Sequence, residues 1–549
     1  MEAHLATLFE AVADVVGDRP ALIHGETVRT WSAFEDRAAR MASALAAAGL
    51  TTQSKTGLYL YNGPEYLEAQ LGVLKGRGVP VNINYRYRDQ ELVYLLENSD
   101  AEALVFHSSL AERVARVAAD IGDLKLLVQV ADDDSPLVPG AVAYEELLAA
   151  SAPAARIARD PGDIFLLYTG GTTGMPKGVM FQLGSWTASF AIGALTQLGL
   201  DPATPLDALP ALIPTIPDDE RVVTAPCAPL MHGTGLTLGA LVPQTLGATV
   251  VTLTSRSFDP HELLSAVQRH GITNLAIVGD VFSKPVIRAI DEQIAAGTPY
   301  DVRSLRRIYS SGAMWSAEVK QDLLDRMPNV ALNDIMNSSE GAMATQVTTH
   351  GTAATTALFV LNPTTKVFTE DGREVEPGSD EVGMLAASGN VPIGYYKDEE
   401  KTARTFREID GVLYSFPGDM AKVAADGSLI LLGRGNQVIN TGGEKVFPEE
   451  VEEAVKRVPG VVDCLVVGVD DERFGQAVTA VVATEPGADV SADAIVTSVK
   501  GELAGYKAPK HVVFVADVPR APNGKADHKT ARQQAVAALG EPAASTPNP

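Results

Sequence analysis

The sequence is poor in cysteine, in positive charge and in long apolar runs. Two of the 549 residues are cysteines, Cys227 and Cys464, which excludes a disulfide framework, and no spacing is typical of a zinc site. Lysine and arginine number 44 against 69 aspartates and glutamates, so the net charge is −25. This excess of negative charge argues against nucleic acid or an anionic membrane as the main partner.

No segment predicts a transmembrane helix. The most apolar stretch, 236–253, is interrupted by glycine, proline and glutamine residues, so we expect a buried helix and strand there. The first ten residues carry two glutamates and a histidine, unlike a signal peptide. Together with the scarcity of cysteine, these features predict a cytoplasmic protein.

Alternating strand and helix patterns predict an α/β fold for the first 330 residues. Strand-like runs lie at 56–61, 79–83 and 103–106, with leucines at helical spacing between the first two. This order indicates parallel sheets covered by helices. One departure is the segment 199–219, which is rich in proline, leucine and alanine and predicts a long apolar loop.

The pattern changes after about residue 355. Asp-Gly pairs at 371–372, 410–411 and 426–427 separate short strands, which is typical of hairpins or a small β-barrel. A helix beginning at Pro448 and strands at 461–467 and 477–484 then indicate a small α+β domain. We therefore predict three parts, which are an N-terminal domain over 1–435, a mobile C-terminal domain over 436–540 and a loose tail over 541–549.

The motif with the clearest chemistry is the string YTGGTTGMPKG, from Tyr168 to Gly178. It follows an apolar strand, and its glycines and threonines let backbone N–H groups and hydroxyls surround an anion, to which Lys177 adds charge. It is not a Walker loop, because Gly178 rather than serine or threonine follows the lysine. The string predicts a site for phosphate groups.

This string resembles the phosphate loop of the adenylate-forming enzymes, which include acyl-CoA synthetases, luciferases and the adenylation domains of peptide synthetases. Further motifs of that family occur in the same order over nearly the whole chain: PLMHG at 229–233, SGA at 311–313, NSSE at 337–340, PGD at 417–419, Gly433-Arg434, GGE at 442–444, PEE at 448–450 and PNGK at 522–525. With the segments VGD at 278–280 and IGYY at 393–396, this set looks like an actinobacterial branch of the family that activates fatty acids or steroid side-chain acids.

The resemblance implies a role for each matching residue. The catalytic residues would be Lys525, Glu340, Thr169 and His232, with Glu340 as the Mg²⁺ ligand. ATP and AMP would contact Thr169, Gly170, Gly171, Thr172, Thr173, Gly174, Lys177, Ser311, Gly312, Ala313, Asn337, Ser338, Ser339, Asp419, Arg434 and Lys525. The acyl group would contact His232, Gly279 and Gly312, CoA would contact Gly442, Gly443 and Glu444, and the hinge would be Asn436.

The implied activity is a two-step ligation. A carboxylate attacks the α-phosphorus of MgATP to give acyl-AMP and pyrophosphate, and the thiol of CoA then attacks the acyl-AMP. The expected partners are an apolar carboxylic acid, ATP, Mg²⁺ and CoA, and a homodimer is left open. Three alternatives also stay open: transfer of the acyl group to a carrier protein, a luciferase-like oxygenase, and a non-catalytic nucleotide-binding protein. The last would be expected to lack Lys525 or Glu340.

Some positions depart from the family pattern. Gly170 replaces a serine, Met336 stands where an aromatic residue commonly stacks on adenine, and Asn440 replaces a lysine. Asn436 stands at the hinge, where aspartate or lysine is usual, and Pro417 replaces a threonine. We expect these differences to affect affinity and hinge behaviour more than the type of reaction.

Overall fold

The computed structural model describes residues 1–118, 121–122, 124–169, 175–313, 315–441, 444–471, 473–521 and 525–540. The helices of this described part are α1 Leu5–Val16, α2 Trp31–Ala47, α3 Pro64–Lys75, α4 Asp89–Asn98, α5 Ala111–Val117, α6 Tyr144–Ala150, α7 Leu183–Gln197, α8 Leu209–Leu212, α9 Val242–Gln244, α10 Pro260–His270, α11 Gly279–Ala295, α12 Ala317–Arg326, α13 Glu399–Thr405, α14 Pro448–Lys456, α15 Ala492–Glu502 and α16 His528–Leu539. A π-helix, Thr234–Leu241, immediately precedes α9. No helix in these residues is long and apolar enough to cross a bilayer.

The strands of the described part are β1 Pro20–His24, β2 Thr27–Thr30, β3 Lys55–Tyr59, β4 Val79–Asn82, β5 Ala101–His107, β6 Leu126–Val130, β7 Ala141–Ala143, β8 Ile164–Thr169, β9 Lys177–Gln182, β10 Val223–Pro226, β11 Thr249–Thr252, β12 Asn274–Ile277, β13 Arg307–Ser310, β14 Ala331–Ser338, β15 Gly341–Thr348, β16 Leu358–Leu361, β17 Thr365–Phe368, β18 Gly383–Ser388, β19 Gly394–Tyr395, β20 Phe406–Ile409, β21 Val412–Ser415, β22 Asp419–Val423, β23 Leu429–Arg434, β24 Ile439–Thr441, β25 Glu444–Val446, β26 Val461–Asp471, β27 Gly475–Thr484 and β28 His511–Phe514.

The chain divides into two compact units. The first unit comprises Met1–Thr356 and Ser388–Ser415, and the second comprises Ala357–Ala387 and Phe416–Pro549. The boundaries predicted from the sequence, at 435 and 540, stay predictions.

The first unit contains two sheets whose central strands are parallel. One has the order β19-β9-β8-β4-β3-β5-β6-β7, and the strands from β8 to β7 in that order are parallel neighbours. In the other, β1, β11, β10, β12, β13 and β14 are parallel neighbours, with antiparallel β2 and β15 at the two ends. Most central strands are buried on both faces, as expected where helices cover a parallel sheet. The predicted α/β class is confirmed.

The segment 199–219 is not the long loop that the sequence predicts. It forms α8 between two short 3₁₀ turns, and Leu209 and Ile213 are fully buried in one core with residues of α1. Proline in the first turn is compatible with a helix, because the missing N–H would have no intrahelical partner there. The buried residues of this segment therefore belong to the core that α1 also lines.

The second unit begins with an antiparallel sheet in the order β16-β23-β22-β18, with β17 beside β18. The part after β23 is α+β, as predicted, with α14, α15 and α16 packed on the sheet β25-β24-β27-β26 and β28 parallel to β27. Its apolar side chains form two clusters, one with α14 and α15 and the other with α16.

The predicted Asp410-Gly411 turn belongs to the first unit, where it joins β20 to β21. Both residues have positive φ, 51° and 78°, which two-residue hairpins of this kind require.

A buried lysine joins α12 to the β14–β15 hairpin of the first unit. The Lys320 ammonium donates to Asp334 Oδ2 at 2.7 Å, to Gln346 Oε1 at 2.5 Å and to the Thr355 carbonyl at 3.1 Å. These bonds use all three of its donors, which compensates for the loss of water around a fully buried charge. Burial raises the pKa of the Asp334 carboxyl, an effect that the positive charge of Lys320 opposes.

We expect Lys320→Ala to lower the free energy of unfolding by about 3–5 kcal/mol, because it leaves Asp334 buried without its cation. Chemical denaturation of the two proteins measures this difference. Arg303→Ala is the matched control, since Arg303 pairs with Asp301 on the surface, and it should leave stability unchanged. Equal stability of the Lys320 variant and the parent would contradict the assignment.

Candidate active site

The phosphate-loop motif lies on the β8–β9 hairpin of the first unit. The two strands are antiparallel, with Thr169 opposite Lys177. A Cβ at Gly178 would lie 2.9 Å from the Tyr168 ring, so this hairpin requires glycine there. Residues 170–174, which connect the strands, lie outside the described residues, and their predicted contacts with phosphate stay predictions.

A residue that the sequence analysis missed, Asn82, fixes this hairpin. Its side-chain amide accepts from the Tyr168 N–H at 2.7 Å and donates to the Tyr168 carbonyl at 2.8 Å. It also donates to the Met231 carbonyl at 2.7 Å, next to His232. The sequence does carry a signal for this role, which is an asparagine within the apolar run Val79–Ile83. A buried amide needs hydrogen-bond partners, so such an asparagine is expected to bind nearby backbone groups.

Lys177 and Asp398 form an ion pair in the first unit. The ammonium lies 2.5 Å from Asp398 Oδ2, and this hydrogen bond holds the pKa of the Asp398 carboxyl below its usual range. The other oxygen, Oδ1, accepts from the Lys401 N–H at 3.0 Å and caps α13. The lysine side chain is 38% exposed, so it is also accessible to a ligand.

Glu340 lies in the turn between β14 and β15. Its N–H donates to the Ser338 hydroxyl at 3.1 Å, and its Oε1 accepts from the Tyr395 hydroxyl at 2.5 Å. A bulge between Met336 and Asn337 interrupts the strand pairing just before this turn. Bulges of this kind change the direction of neighbouring side chains and occur often beside active sites. Ser339 shares the turn with Glu340 and is half-buried.

The predicted adenine and acyl segments also meet in the first unit. The Ser311 hydroxyl donates to the Asn337 side-chain carbonyl, and the Thr234 hydroxyl donates to the Ser311 carbonyl at 3.4 Å. Gly312, with a φ of 96°, and Ala313 follow directly. Gly279 begins α11, and its N–H donates to the Ser310 hydroxyl at 2.9 Å. The structure therefore brings Gly279, the motifs 311–313 and 337–340 and the residue that follows the motif 229–233 together at the ends of β12, β13 and β14.

His232 is half-buried, just before the π-helix. Its carbonyl accepts from the Leu236 N–H at 3.0 Å, and its N–H donates to the Pro229 carbonyl at 3.0 Å. A π-helix is rare, and in many proteins such turns occur at functional sites. The position agrees with the predicted acyl-pocket role, which stays a prediction.

In the second unit, Asp419 begins β22 directly opposite Arg434 of β23. The Asp419 side chain is buried, and the preceding Gly418 has a φ of 96° and accepts from the Gly435 N–H at 2.8 Å. The side chains of Arg434 and Asn436 lie outside the described residues, as do Gly442 and Gly443. Glu444 is exposed at the start of β25. The ribose, hinge and CoA roles stay predictions.

Lys525 is exposed in the second unit, three residues before α16. Its carbonyl accepts from the Ala521 N–H at 2.7 Å, and Asp527 caps the helix through the Thr530 N–H. Arg520, five positions earlier, forms an ion pair with Asp463 at 2.7 Å. Residues 522–524 lie outside the described residues, and the catalytic role of Lys525 stays a prediction.

Comparison with known proteins identifies the family. Residues 9–396 match the AMP-binding enzyme family, and residues 450–525 match the AMP-binding enzyme C-terminal domain. The chain is 38% identical to a 3-oxocholest-4-en-26-oate–CoA ligase of Rhodococcus rhodochrous, over 97% of this chain and 96% of that protein. It is 39% identical to the medium-chain acyl-CoA ligase Mig of Mycobacterium avium, over 96% of this chain and 97% of that protein.

Solved structures agree with this result. ATP-bound MatB from Rhodopseudomonas palustris is 26% identical, with a TM-score of 0.79 over 97% of this chain and 99% of that one. The anthranilate CoA ligase AuaEII, in complex with anthranoyl-AMP, is 20% identical with a TM-score of 0.83 over 98% of this chain and 100% of that one, a likeness of fold. The predicted family and the predicted acid–thiol ligase class are confirmed, and the chain belongs to the AMP-binding enzyme family.

Proposed function

We propose that this enzyme is an AMP-forming acyl-CoA synthetase for large apolar carboxylic acids, either medium- and long-chain fatty acids or steroid side-chain acids. The observation that carries the proposal is the near-full-length similarity to relatives named as ligases of such acids. The acid is first joined to AMP with release of pyrophosphate, and the acyl group then passes to the thiol of CoA.

The first unit supplies the groups that bind the phosphates. Displacement of pyrophosphate places negative charge on oxygen atoms, so positioned cations and donors provide most of the catalysis. Lys177 fits this role, because its ammonium is accessible and held in place by Asp398. Thr169 stands opposite it on the same hairpin. Asp419 of the second unit, with Arg434 as its strand partner, is the proposed ribose contact.

Glu340 is the proposed ligand of Mg²⁺. This ion is usually held by one or two carboxylates together with substrate phosphates. One oxygen of Glu340 accepts the Tyr395 hydroxyl, and the carboxylate retains lone pairs for a cation, so the donor set fits Mg²⁺ shared with ATP. When bound, the ion would neutralise phosphate charge, and Glu340 would orient it.

Lys525 is proposed to act in the first step only. The resemblance implies that its ammonium stabilises the negative charge on the carboxylate and the α-phosphate oxygens, and that the C-terminal domain moves between the two steps. The CoA thiol would enter after that domain has turned about Asn436, near Gly442 and Gly443. The exposure of Lys525 supports this proposal.

A test of the metal role uses Glu340→Gln, which keeps the size of the side chain and an acceptor for Tyr395. We expect the Mg²⁺ concentration for half-maximal pyrophosphate release to rise roughly tenfold or more, because a neutral amide is a poorer ligand for a hard cation. Glu318→Gln, on the exposed surface of α12, is the control. An unchanged Mg²⁺ requirement would remove Glu340 from the metal site.

Substrate preference can be measured as pyrophosphate release with acetate, octanoate, palmitate, benzoate and a steroid with a carboxylated side chain. Each buried CH₂ contributes roughly 0.8 kcal/mol, about fourfold in binding. We therefore expect acids of eight or more carbons, or the steroid acid, to exceed acetate in kcat/KM by orders of magnitude. Release of AMP that depends on CoA distinguishes the synthetase from transfer to a carrier protein. A preference for acetate would refute the proposal.

If Lys525 acts only in the formation of acyl-AMP, Lys525→Ala should affect the two half-reactions unequally. Acyl-AMP formation should slow by about 10²–10³-fold, the loss typical of one positioned electrostatic group. When supplied with synthetic acyl-AMP, the same variant should form acyl-CoA at close to the parent rate. Lys529→Ala, at the exposed second residue of α16, is the control and should affect neither step. Equal losses in both half-reactions would contradict the movement of the C-terminal domain.

A further inference from the structure

The turn between β19 and α13, residues 395–398, contacts two of the proposed MgATP ligands at once. Tyr395 donates its hydroxyl to Glu340 Oε1 at 2.5 Å. Three residues later, Asp398 Oδ2 accepts from the Lys177 ammonium at 2.5 Å. All four residues belong to the first unit. One short segment therefore connects the proposed metal ligand with the proposed phosphate ligand.

The backbone of this turn is fixed. The Tyr395 N–H donates to the Thr402 hydroxyl at 2.9 Å, and that hydroxyl donates to the Asp398 carbonyl at 2.7 Å. The Tyr396 N–H donates to the Gly178 carbonyl at 2.8 Å, which joins the turn to the phosphate hairpin. Because both ends of the turn are held, the two side chains that it presents keep a constant separation.

The side-chain environment restricts Tyr395 further. The residue is 3% exposed, and its ring centroid lies 5.7 Å from that of Phe406 and 4.0 Å from the Lys401 ammonium nitrogen. The hydroxyl position is thus set by packing. A hydrogen bond from such a group fixes the orientation of a carboxylate more strongly than a bond from a mobile surface residue would.

Both contacts leave capacity for a ligand. The Lys177 ammonium has three donors, and Asp398 occupies one of them. The Glu340 carboxylate has two oxygens, and Tyr395 occupies one lone pair of Oε1. Phosphate and Mg²⁺ can therefore bind while both contacts persist, and the side-chain entropy lost on binding has already been lost in the free enzyme.

We propose that Tyr395 and Asp398 are positioning residues for MgATP, which set Glu340 and Lys177 at the spacing that a metal–phosphate complex requires. The inference rests on the proposed function only in that Lys177 and Glu340 contact MgATP. Tyr395 lies in the run 393–396 that contributes to the resemblance, but neither Tyr395 nor Asp398 is among the site residues predicted from the sequence. Their effect is on nucleotide and metal binding, and not on the carboxylic acid.

The test uses variants that keep the local structure. Tyr395→Phe retains the packed ring and removes the hydroxyl. Asp398→Asn retains an oxygen for the cap of α13 and removes the charge that faces Lys177, and Asp398→Ser is a second variant that can also cap. The chain offers matched controls in the same region. Tyr396 donates its hydroxyl to Asp100 at 2.7 Å, and Asp100 pairs with Lys397 at 2.6 Å. The controls are therefore Tyr396→Phe and Asp100→Asn.

Binding of α,β-methylene-ATP to each full-length protein is measured by calorimetry with and without Mg²⁺. We expect Tyr395→Phe to weaken binding about tenfold with Mg²⁺ present and less than about twofold without it, because hydrogen-bond partners of metal ligands act through the metal. Asp398→Asn and Asp398→Ser should weaken binding about fivefold in both conditions, because an immobilised lysine becomes free. The controls should match the parent in both conditions.

Steady-state pyrophosphate release provides the second readout. The KM for ATP should rise in the Asp398 variants and the apparent constant for Mg²⁺ should rise in Tyr395→Phe, while the KM for the acid stays unchanged. A purely structural role would lower the melting temperature and change all constants together, and this result would overturn the proposal. Tighter nucleotide binding by Asp398→Asn would also overturn it, because Asp398 would then compete with phosphate.

The two proposals fail in different ways. If the parent binds α,β-methylene-ATP with the expected dependence on Mg²⁺ and on the variants, but forms no acyl-CoA from any acid, the positioning role stands and the proposed function is wrong. If the parent forms acyl-CoA and the variants bind the nucleotide as the parent does, the positioning role is wrong and the proposed function stands.

Discussion

The buried side chain of Asn82 holds together the parts of the first unit that form the candidate site. Its three hydrogen bonds satisfy the N–H and carbonyl of Tyr168, at the end of the strand before the phosphate loop, and the carbonyl of Met231, before the π-helix. An apolar residue of similar size would leave these three backbone groups buried without partners, at about 1–3 kcal/mol each. The Asn82 amide therefore links the phosphate hairpin directly to the segment that carries His232.

Local patterns sufficed to predict the architecture and many site segments. Strand runs at 56–61, 79–83 and 103–106 correspond to β3, β4 and β5 within about two residues, because parallel strands buried on both faces need continuous apolar sequence. The Asp410-Gly411 turn was predictable for another local reason. A two-residue hairpin turn of this type needs positive φ at both residues, and aspartate followed by glycine adopts these angles readily. The segment 199–219 was mistaken for a loop, since its short helical turns are stabilised by burial of Leu209 and Ile213 against α1 and not by local periodicity.

Contacts between residues far apart in sequence could not be predicted in this way. Lys177 and Asp398 are separated by 221 positions, and the partner of a surface lysine cannot be deduced from its neighbours in the chain. The same is true of Tyr395 and Glu340. A net charge of −25 adds to the difficulty, because carboxylates are available to almost every cation in the molecule. Motif matching named the groups that would meet the nucleotide, and only the folded chain reveals which side chains hold those groups in place.

The π-helix is a further feature that periodicity does not reveal. Its sequence, TGLTLGAL, has no polar face, so a buried helix was predictable, but its wider turn was not. Close backbone approach explains the two glycines, since a Cβ at Gly239 would lie 2.6 Å from Pro226 Cβ of β10, and one at Gly235 would lie 2.5 Å from the carbonyl oxygen of Ala228, in the segment that follows β10. Side chains there would force the helix away from the strand ends that carry Ser310 and Ser311. Because the Thr234 hydroxyl already reaches the Ser311 carbonyl, the glycines set how closely the predicted acyl and adenine segments approach each other.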